Sequence, residues 1–412
     1  MKKIFFLIGY LSTFTAFSQT LTNQQYRTDF DYFWNTINDN YAYFQKKGID
    51  WNSLRPVYQA QVDTVSTRNG FVRILEKAIN ELYDHHCSLN TNTPASSRLI
   101  PTGTDLWASY HDGKPVIDEV RIGMGADKVG IQAGMEIMAI NDLEVAKAIL
   151  PYLAHTRTAE AWNFALRLAL AGNHIDKRKI TVKTISGTRD FFPDQDGLLL
   201  EHIEYPAMVQ SKTSHEIDYI KINNFLYDNQ LIPRFDSVLN ASLEKKALII
   251  DLRETPSGGN TSVARAILGR FISKEQCYQK HELYAEERET GIKRSWVEIV
   301  SPRGVTYNGK VVILANHWTG SISEGITIAF DGMKRATVIG TELARLNGAV
   351  ESFRMPGTKI GFNISTERLY HINGTARECY QPAIKVSMAN QHPGDDPILA
   401  KAIDFLKAKK DF

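Results

Sequence analysis

Four short stretches of this chain hold side chains that together could act on a carbonyl group. Thr319-Gly320-Ser321-Ile322-Ser323-Glu324 follows the apolar run Val311-Val312-Ile313-Leu314-Ala315. A strand that breaks at a Gly-Ser pair and resumes as a helix exposes the serine hydroxyl at a turn, with the next backbone N–H groups pointing toward it. Asp251-Leu252-Arg253 and Ser257-Gly258-Gly259-Asn260 lie upstream, Asp84-His85-His86 further upstream, and Glu378 downstream. A nucleophile, a base, a carboxylate and a glycine turn are the parts of an acyl-transfer site. Ser321 is the candidate nucleophile. His86 is the candidate general base, because an unperturbed imidazole is neutral yet basic near pH 7. Glu378 is the candidate carboxylate that orients the imidazole. The oxyanion would be held by the N–H of Ile322 and by one of the Gly258-Gly259 turn, where a missing Cβ lets the main chain approach. With His86 as base, activity is expected to fall as pH drops through its titration, between pH 8 and 5.

Every one of these residues also has a plainer role. Ser321 can cap a helix, His86 can be a core histidine, Glu378 a surface carboxylate, and Asp251 can close its strand. Ser323 competes as nucleophile but suits a supporting place in the turn. His85-His86-Cys87 has the look of a metal corner, yet no second ligand pair at metal spacing accompanies it. Gly123-x-Gly125 lacks the strand, helix and acidic residue that a nucleotide fingerprint needs.

The elements that must position these groups show in the apolar periodicity. Phe30, Phe33, Trp34, Ile37 and Tyr41 follow helical spacing, as do Phe71, Ile74, Leu75, Ala78, Ile79 and Leu82, which lead into the histidine pair. Residues 22–92 therefore read as a small helical subdomain. From about 104 the texture changes to short strands around a glycine-bounded short helix. From Ile217 onward, apolar runs at 219–222, 247–251, 311–315 and 338–339 alternate with helical segments at 262–271 and 324–332, which is α/β texture with a doubly covered sheet. The stretch Glu275 to Arg303 is a long insert placed to shape a cleft.

At 412 residues the chain is long enough for two or three domains. Hydrophobic content of 43% with 23% charged residues describes a globular protein and excludes a fibrous or disordered one. Lys2 and Lys3 before an apolar segment, then Ala16-Phe17-Ser18, read as a secretory signal cleaved between Ser18 and Gln19, so a periplasmic or secreted location is expected. Removing those two lysines takes the net charge from +2 to 0, which gives no electrostatic case for nucleic acid or an anionic membrane. No later apolar run is long enough to span a bilayer. Cys87, Cys277 and Cys379 are too few for a disulfide scaffold; a Cys87–Cys379 bridge and buried free thiols are the two readings.

Taken in order, these motifs resemble the S41 peptidases, the family of tail-specific (C-terminal processing) and tricorn-type proteases. The matching features are Asp84-x-His86 at a helix end, Asp251-Leu252-Arg253 before Gly258-Gly259, the Ser321-x-Ser323-Glu324 turn, and Glu378 shortly before Pro382. The run from Val116 through Gly134 to Ile140-Asn141 resembles the second half of a PDZ domain. The resemblance implies an α/β, crotonase/ClpP-like catalytic domain over 200–412, a PDZ-like β-rich module over 104–190, and an N-terminal helical subdomain over 19–103 after a signal peptide at 1–18. It also implies that Ser321, the first serine of its turn, is the nucleophile. One branch of the family uses a serine–lysine dyad, with the lysine in a Gly-Lys-Gly turn after the next strand. Residues Gly340 to Gly348 contain no lysine, which favours the Ser-His-Glu branch and Ser321, His86 and Glu378. The chain departs from the pattern by an extra residue before Gly258, by His85 where a small residue is expected, and by Cys379-Tyr380-Gln381-Pro382-Ala383. The expectation is an exported serine endopeptidase acting on peptides or proteins through an acyl-enzyme, with no metal and no organic cofactor. The alternative is a catalytically inactive peptide- or ligand-binding protein on the same scaffold.

Overall fold

The computed structural model describes residues 21–185, 187–195, 203–214, 216–389 and 394–408. The proposed signal peptide at 1–18 lies outside the described residues. Among the described residues no helix is long and apolar enough to cross a membrane.

The N-terminal helices form because their apolar residues share one face. Asn23–Asn40 opens with a capping box in which the Thr22 side chain and Gln25 satisfy each other's backbone N–H groups. It buries Phe30, Phe33, Trp34 and Ile37. Arg68–Asn80, capped by Thr67, buries Phe71, Leu75, Ala78 and Ile79 against the same core. That core also takes Met355, Ile360, Phe362 and Ile364 from the C-terminal half of the chain. Asp29, fully buried, accepts hydrogen bonds from the backbone N–H groups of Gly357 and Thr358, so the first helix is bolted to a distant turn by charge-assisted bonds.

The β-rich segment that follows holds a two-stranded ribbon, Leu106–His111 with Lys114–Val120, and a four-stranded sheet from Leu143–Glu144, Ile137–Ile140, Ile180–Thr184 and Gly187–Phe191. A 13-residue helix, Ala159–Ala171, packs across both and is not anticipated from the sequence. Its signal is there, since Thr158 caps it and Ala161, Phe164, Ala165, Leu168 and Ala169 keep helical spacing.

The α/β part is built on a six-stranded sheet in the order Ile384–Lys385, Thr337–Gly340, Lys310–Ala315, Ala247–Asp251, Ile217–Ile222, Val209–Lys212. All neighbours are parallel except the last pair. Ala247–Asp251 is buried at every residue, as a strand covered on both faces must be. The expected insert at 275–303 is a pair of strands, Gln276–Leu283 and Arg294–Val300, joined through the helix Tyr284–Thr290. It belongs to an antiparallel sheet with Gly361–Tyr370, Ala349–Arg354 and Ser88–Leu89. Cys87, Cys277 and Cys379 are all unpaired thiols. Mixed α/β architecture with a helical N-terminal region is what the sequence led us to expect.

Candidate active site

Two loops meet beyond the carboxyl ends of the neighbouring parallel strands Ala247–Asp251 and Lys310–Ala315, the usual place for a site in an open α/β sheet. They are stitched together by a parallel bridge between Thr255 and Thr319 and by the bond from Gly320 N–H to the Thr255 carbonyl. The second loop ends at Ser321, directly before the helix Ile322–Gly332. Ser321 sits at φ 57°, ψ −116°, a conformation that L residues avoid. Several neighbours hold it there. The Glu324 carboxylate, wholly buried, accepts from Ser321 N–H at 2.8 Å and from Arg345 N–H at 2.9 Å. The Ser321 carbonyl accepts from the Arg377 guanidinium at 3.3 Å. Ser323 Oγ lies 2.7 Å from the Gly320 carbonyl and 3.2 Å from that of Thr255, so it braces the turn.

His86 arrives from the other end of the chain. After the helix Arg68–Asn80 the Asp84 carboxylate accepts from the His86 backbone N–H at 2.9 Å and from the hydroxyls of Tyr41 and Ser365 at 3.1 and 3.0 Å. Ser88–Leu89 then pairs antiparallel with Phe362 and Asn363. The base is therefore fixed on both sides by buried structure. Its Nε2 lies 3.0 Å from Ser321 Oγ, and its Nδ1 lies 2.7 Å from the Asn347 carbonyl oxygen. A carbonyl can only accept, so Nδ1 carries the hydrogen and the Nε2 lone pair faces the serine hydroxyl. Burial first, then the Arg377 charge, pull the imidazole down to a pKa of about 4. The acid limb expected between pH 8 and 5 therefore moves lower.

Glu378 is not joined to the imidazole. Its Oε1 accepts from Lys46 Nζ at 2.5 Å, and its Oε2 is buried without a partner among the described residues. Both His86 ring nitrogens are already used by Ser321 and Asn347. The expected carboxylate contact is thus replaced by a main-chain carbonyl. Arg377, 2% exposed, positions that carbonyl by donating to the carbonyls of Leu346 and Gly348 on either side, at 3.0 and 2.7 Å. Neither Asn347 nor Arg377 stood out in the sequence. A backbone oxygen has no residue signature, and Arg377 gave only the hint of a cation beside Glu378. Glu378→Gln is expected to lower kcat less than about tenfold, because the imidazole keeps both partners. A loss matching that of His86→Ala, in steady-state kinetics on one peptide, would mean that Glu378 reaches the imidazole after all.

Gly258, at φ +71°, lies against the serine: a Cβ built on it would come 2.4 Å from Ser321 Cβ and 3.3 Å from the Ile322 nitrogen. Ile322 is the first residue of its helix, so its N–H has no intrahelical partner. Gly259 faces away, with its built Cβ 2.2 Å from the Leu226 backbone. Ser321, His86, Ile322 and Gly258 are thus brought together, and Gly259 supports the loop from behind. Trp107 and His317 stack at 4.7 Å beneath the turn, and Glu119 of the ribbon accepts from Asn316, His317 and Thr341 at 2.8, 2.6 and 2.6 Å.

Residues 216–386 match the sequence model of peptidase family S41, and residues 22–80 match that of the tricorn protease C1 domain. No curated protein matches the chain. Many solved structures share its fold, among them the following. Mature CPAF has 14% identity and a TM-score of 0.61, covering 89% of this chain and 93% of its own. The photosystem II D1 C-terminal processing protease has 14% identity and a TM-score of 0.56, covering 88% and 94%. A putative peptidase from Parabacteroides merdae has 17% identity and a TM-score of 0.54, covering 94% and 98%.

Proposed function

Since the chain belongs to peptidase family S41, we propose that it is a serine endopeptidase working through an acyl-enzyme on Ser321, with His86 as general base. The observation that carries this reading is the 3.0 Å approach of His86 Nε2 to Ser321 Oγ, with Nδ1 committed to a carbonyl. In the proposed cycle His86 Nε2 takes the Ser321 proton as Oγ bonds to the substrate carbonyl carbon. The C=O electron pair moves onto oxygen, where the Ile322 N–H and the Gly258-Gly259 turn stabilise it. The imidazolium keeps its Nδ1–H on Asn347 while Asp84 supplies nearby negative charge. It then protonates the leaving nitrogen, the C–N bond breaks, and water repeats the sequence to release the acid. Glu378, paired with Lys46, takes no direct part in these steps. We also propose export, on the strength of the lysine-led apolar N-terminus, and a PDZ-like role for the β-rich segment.

Fluorophosphonate labelling with peptide mass mapping tests the proposal. The label is expected on Ser321 and is expected to vanish in His86→Ala. A folded protein that takes no label would instead fit the binding-protein alternative.

The rate should follow two titrations. Only neutral imidazole can accept the serine proton, so the imidazole titration by itself is expected to halve kcat/KM near pH 4. Burial pushes Glu324 up to about 7, so its protonation adds a shallow step, under about tenfold, that Glu324→Gln removes. A half-loss near pH 6.5 that survives Glu324→Gln would show that the imidazole is solvated.

A further inference from the structure

A cavity of about 340 Å3 opens beside the base. Its lining includes His85, next in sequence to His86, and Asn347, whose carbonyl holds the imidazole. The charged groups around it are answered with one exception. Lys46 pairs with Glu378 at 2.5 Å, Lys47 with Glu160 at 2.6 Å and Arg345 with Glu342 at 3.1 Å. Asp84 accepts three hydrogen bonds. Arg167 alone has no acidic partner among the described residues. Its Nε donates to the Ala108 carbonyl at 3.2 Å, and the guanidinium lies 4.3 Å from the Trp107 ring centre. One bond and one stacked ring fix the group in place while its terminal amino groups have no partner among the described residues, the arrangement that suits guanidinium recognition of a carboxylate. Desolvation, joined by the Arg345 charge, pulls it down to about 10 against the raising effect of the Asp118, Glu160 and Glu342 charges.

Three polar atoms of the lining residues are buried without a partner among the described residues: Tyr43 Oη, His85 Nε2 and Glu378 Oε2. His85 is held neutral by burial and by the Arg167 and Lys47 charges, and it stacks on Phe164 at 4.4 Å. Tyrosine and neutral histidine can each donate to a carboxylate, whereas the free Glu378 oxygen needs an N–H. A peptide unit bearing a carboxylate offers both.

We propose that this cavity is a specificity subsite for a peptide carboxylate, anchored by Arg167 and completed by Tyr43, His85 and Glu378. The proposal rests on the peptidase reading for its placement beside the chemistry. The carboxylate can come from an acidic side chain or from a chain end, and the chemistry at Arg167 is the same.

The test uses full-length Ser321→Ala protein, so that binding is read without turnover. Acetylated alanine pentapeptides with Glu placed at each position in turn, their Gln counterparts, and the all-alanine peptide as free acid or amide are titrated by calorimetry. A charge-assisted contact predicts that at least one carboxylate peptide binds roughly tenfold to a hundredfold tighter than its neutral partner. Whether Glu or the free acid shows the difference identifies the source. Arg167→Gln in the same background should erase it and Arg167→Lys should keep part of it. Equal affinities across the whole set, or a difference unchanged in Arg167→Gln, would overturn the proposal. The Glu against Gln comparison needs no change at Arg167, so it stands even where a variant misfolds. Fluorophosphonate labelling of the unmodified protein reads the peptidase proposal separately: no label beside an intact Glu/Gln difference would sink that reading and leave the subsite.

Discussion

His86→Ala is expected to lower kcat/KM for a peptide substrate by on the order of 10⁴ or more, as is Ser321→Ala, and the double variant to lose little beyond either. Without the imidazole the Ser321 hydroxyl has only water to take its proton, and among the described residues no other side chain is hydrogen-bonded to its Oγ. The two residues act as one device, so removing the second adds almost nothing. The free Ile322 N–H and the glycine loop remain, which leaves a residual rate above that in water. Folding should be nearly untouched, because the bond from the His86 backbone to Asp84 does not involve the ring. The check is a four-way comparison of kcat/KM with thermal melts alongside. Losses that add on a logarithmic scale would show that the two side chains work independently and would remove the dyad.

Gly258→Ala is expected to cost nearly as much, for a steric reason. Its Cβ would stand 2.4 Å from Ser321 Cβ and 2.8 Å from Oγ, closer than any real contact, so the serine or the loop must move. The positive φ adds about 1–2 kcal/mol of strain for an L side chain. A shift of about 1 Å in the nucleophile is enough to cost a hundredfold, and a displaced oxyanion donor costs on the order of 10²–10³ more. Gly259→Ala should fail differently. Its Cβ would meet the Leu226 backbone carbon and oxygen at 2.2 Å, beside a buried core residue, so melting temperature should drop along with activity. Measured together, Gly258→Ala should lose far more activity than stability, and Gly259→Ala should lose both. Gly258→Ala turning over within tenfold of the unchanged protein would place the oxyanion elsewhere.

The parts of this site that a sequence could show are those whose function lies in side-chain identity or local pattern. Val311 to Ala315 reads as a buried strand and is one, and Ala247–Asp251 is a strand over the same residues. Ser321 stands out because a strand, a glycine and a helix leave it at a turn. His86 stands out because apolar helical spacing from Phe71 runs up to it. The orienting group was hidden for the opposite reason: the Asn347 carbonyl would be there with any side chain, and what selects it is the path of the loop from Arg345 to Gly348. Glu378 has the residue type for the role, but Lys46, 332 positions away, takes one of its oxygens. No local pattern carries a contact across that separation. Arg167 was equally out of sight, because only the packing of Ala159–Ala171 on the ribbon brings its guanidinium over Trp107.

The two atoms 3.0 Å apart at the centre of the site belong to residues 235 positions apart. Ribosomal synthesis therefore delivers His86 long before Ser321, and the helices that carry the histidine share their core with Phe362 and Ile364, later still. A growing or half-folded chain has no assembled pair, and contacts of such long range are among the last to close. The polypeptide is in effect its own inhibitor until the end of folding, which spares the nascent chain, and whatever handles it, from cleavage.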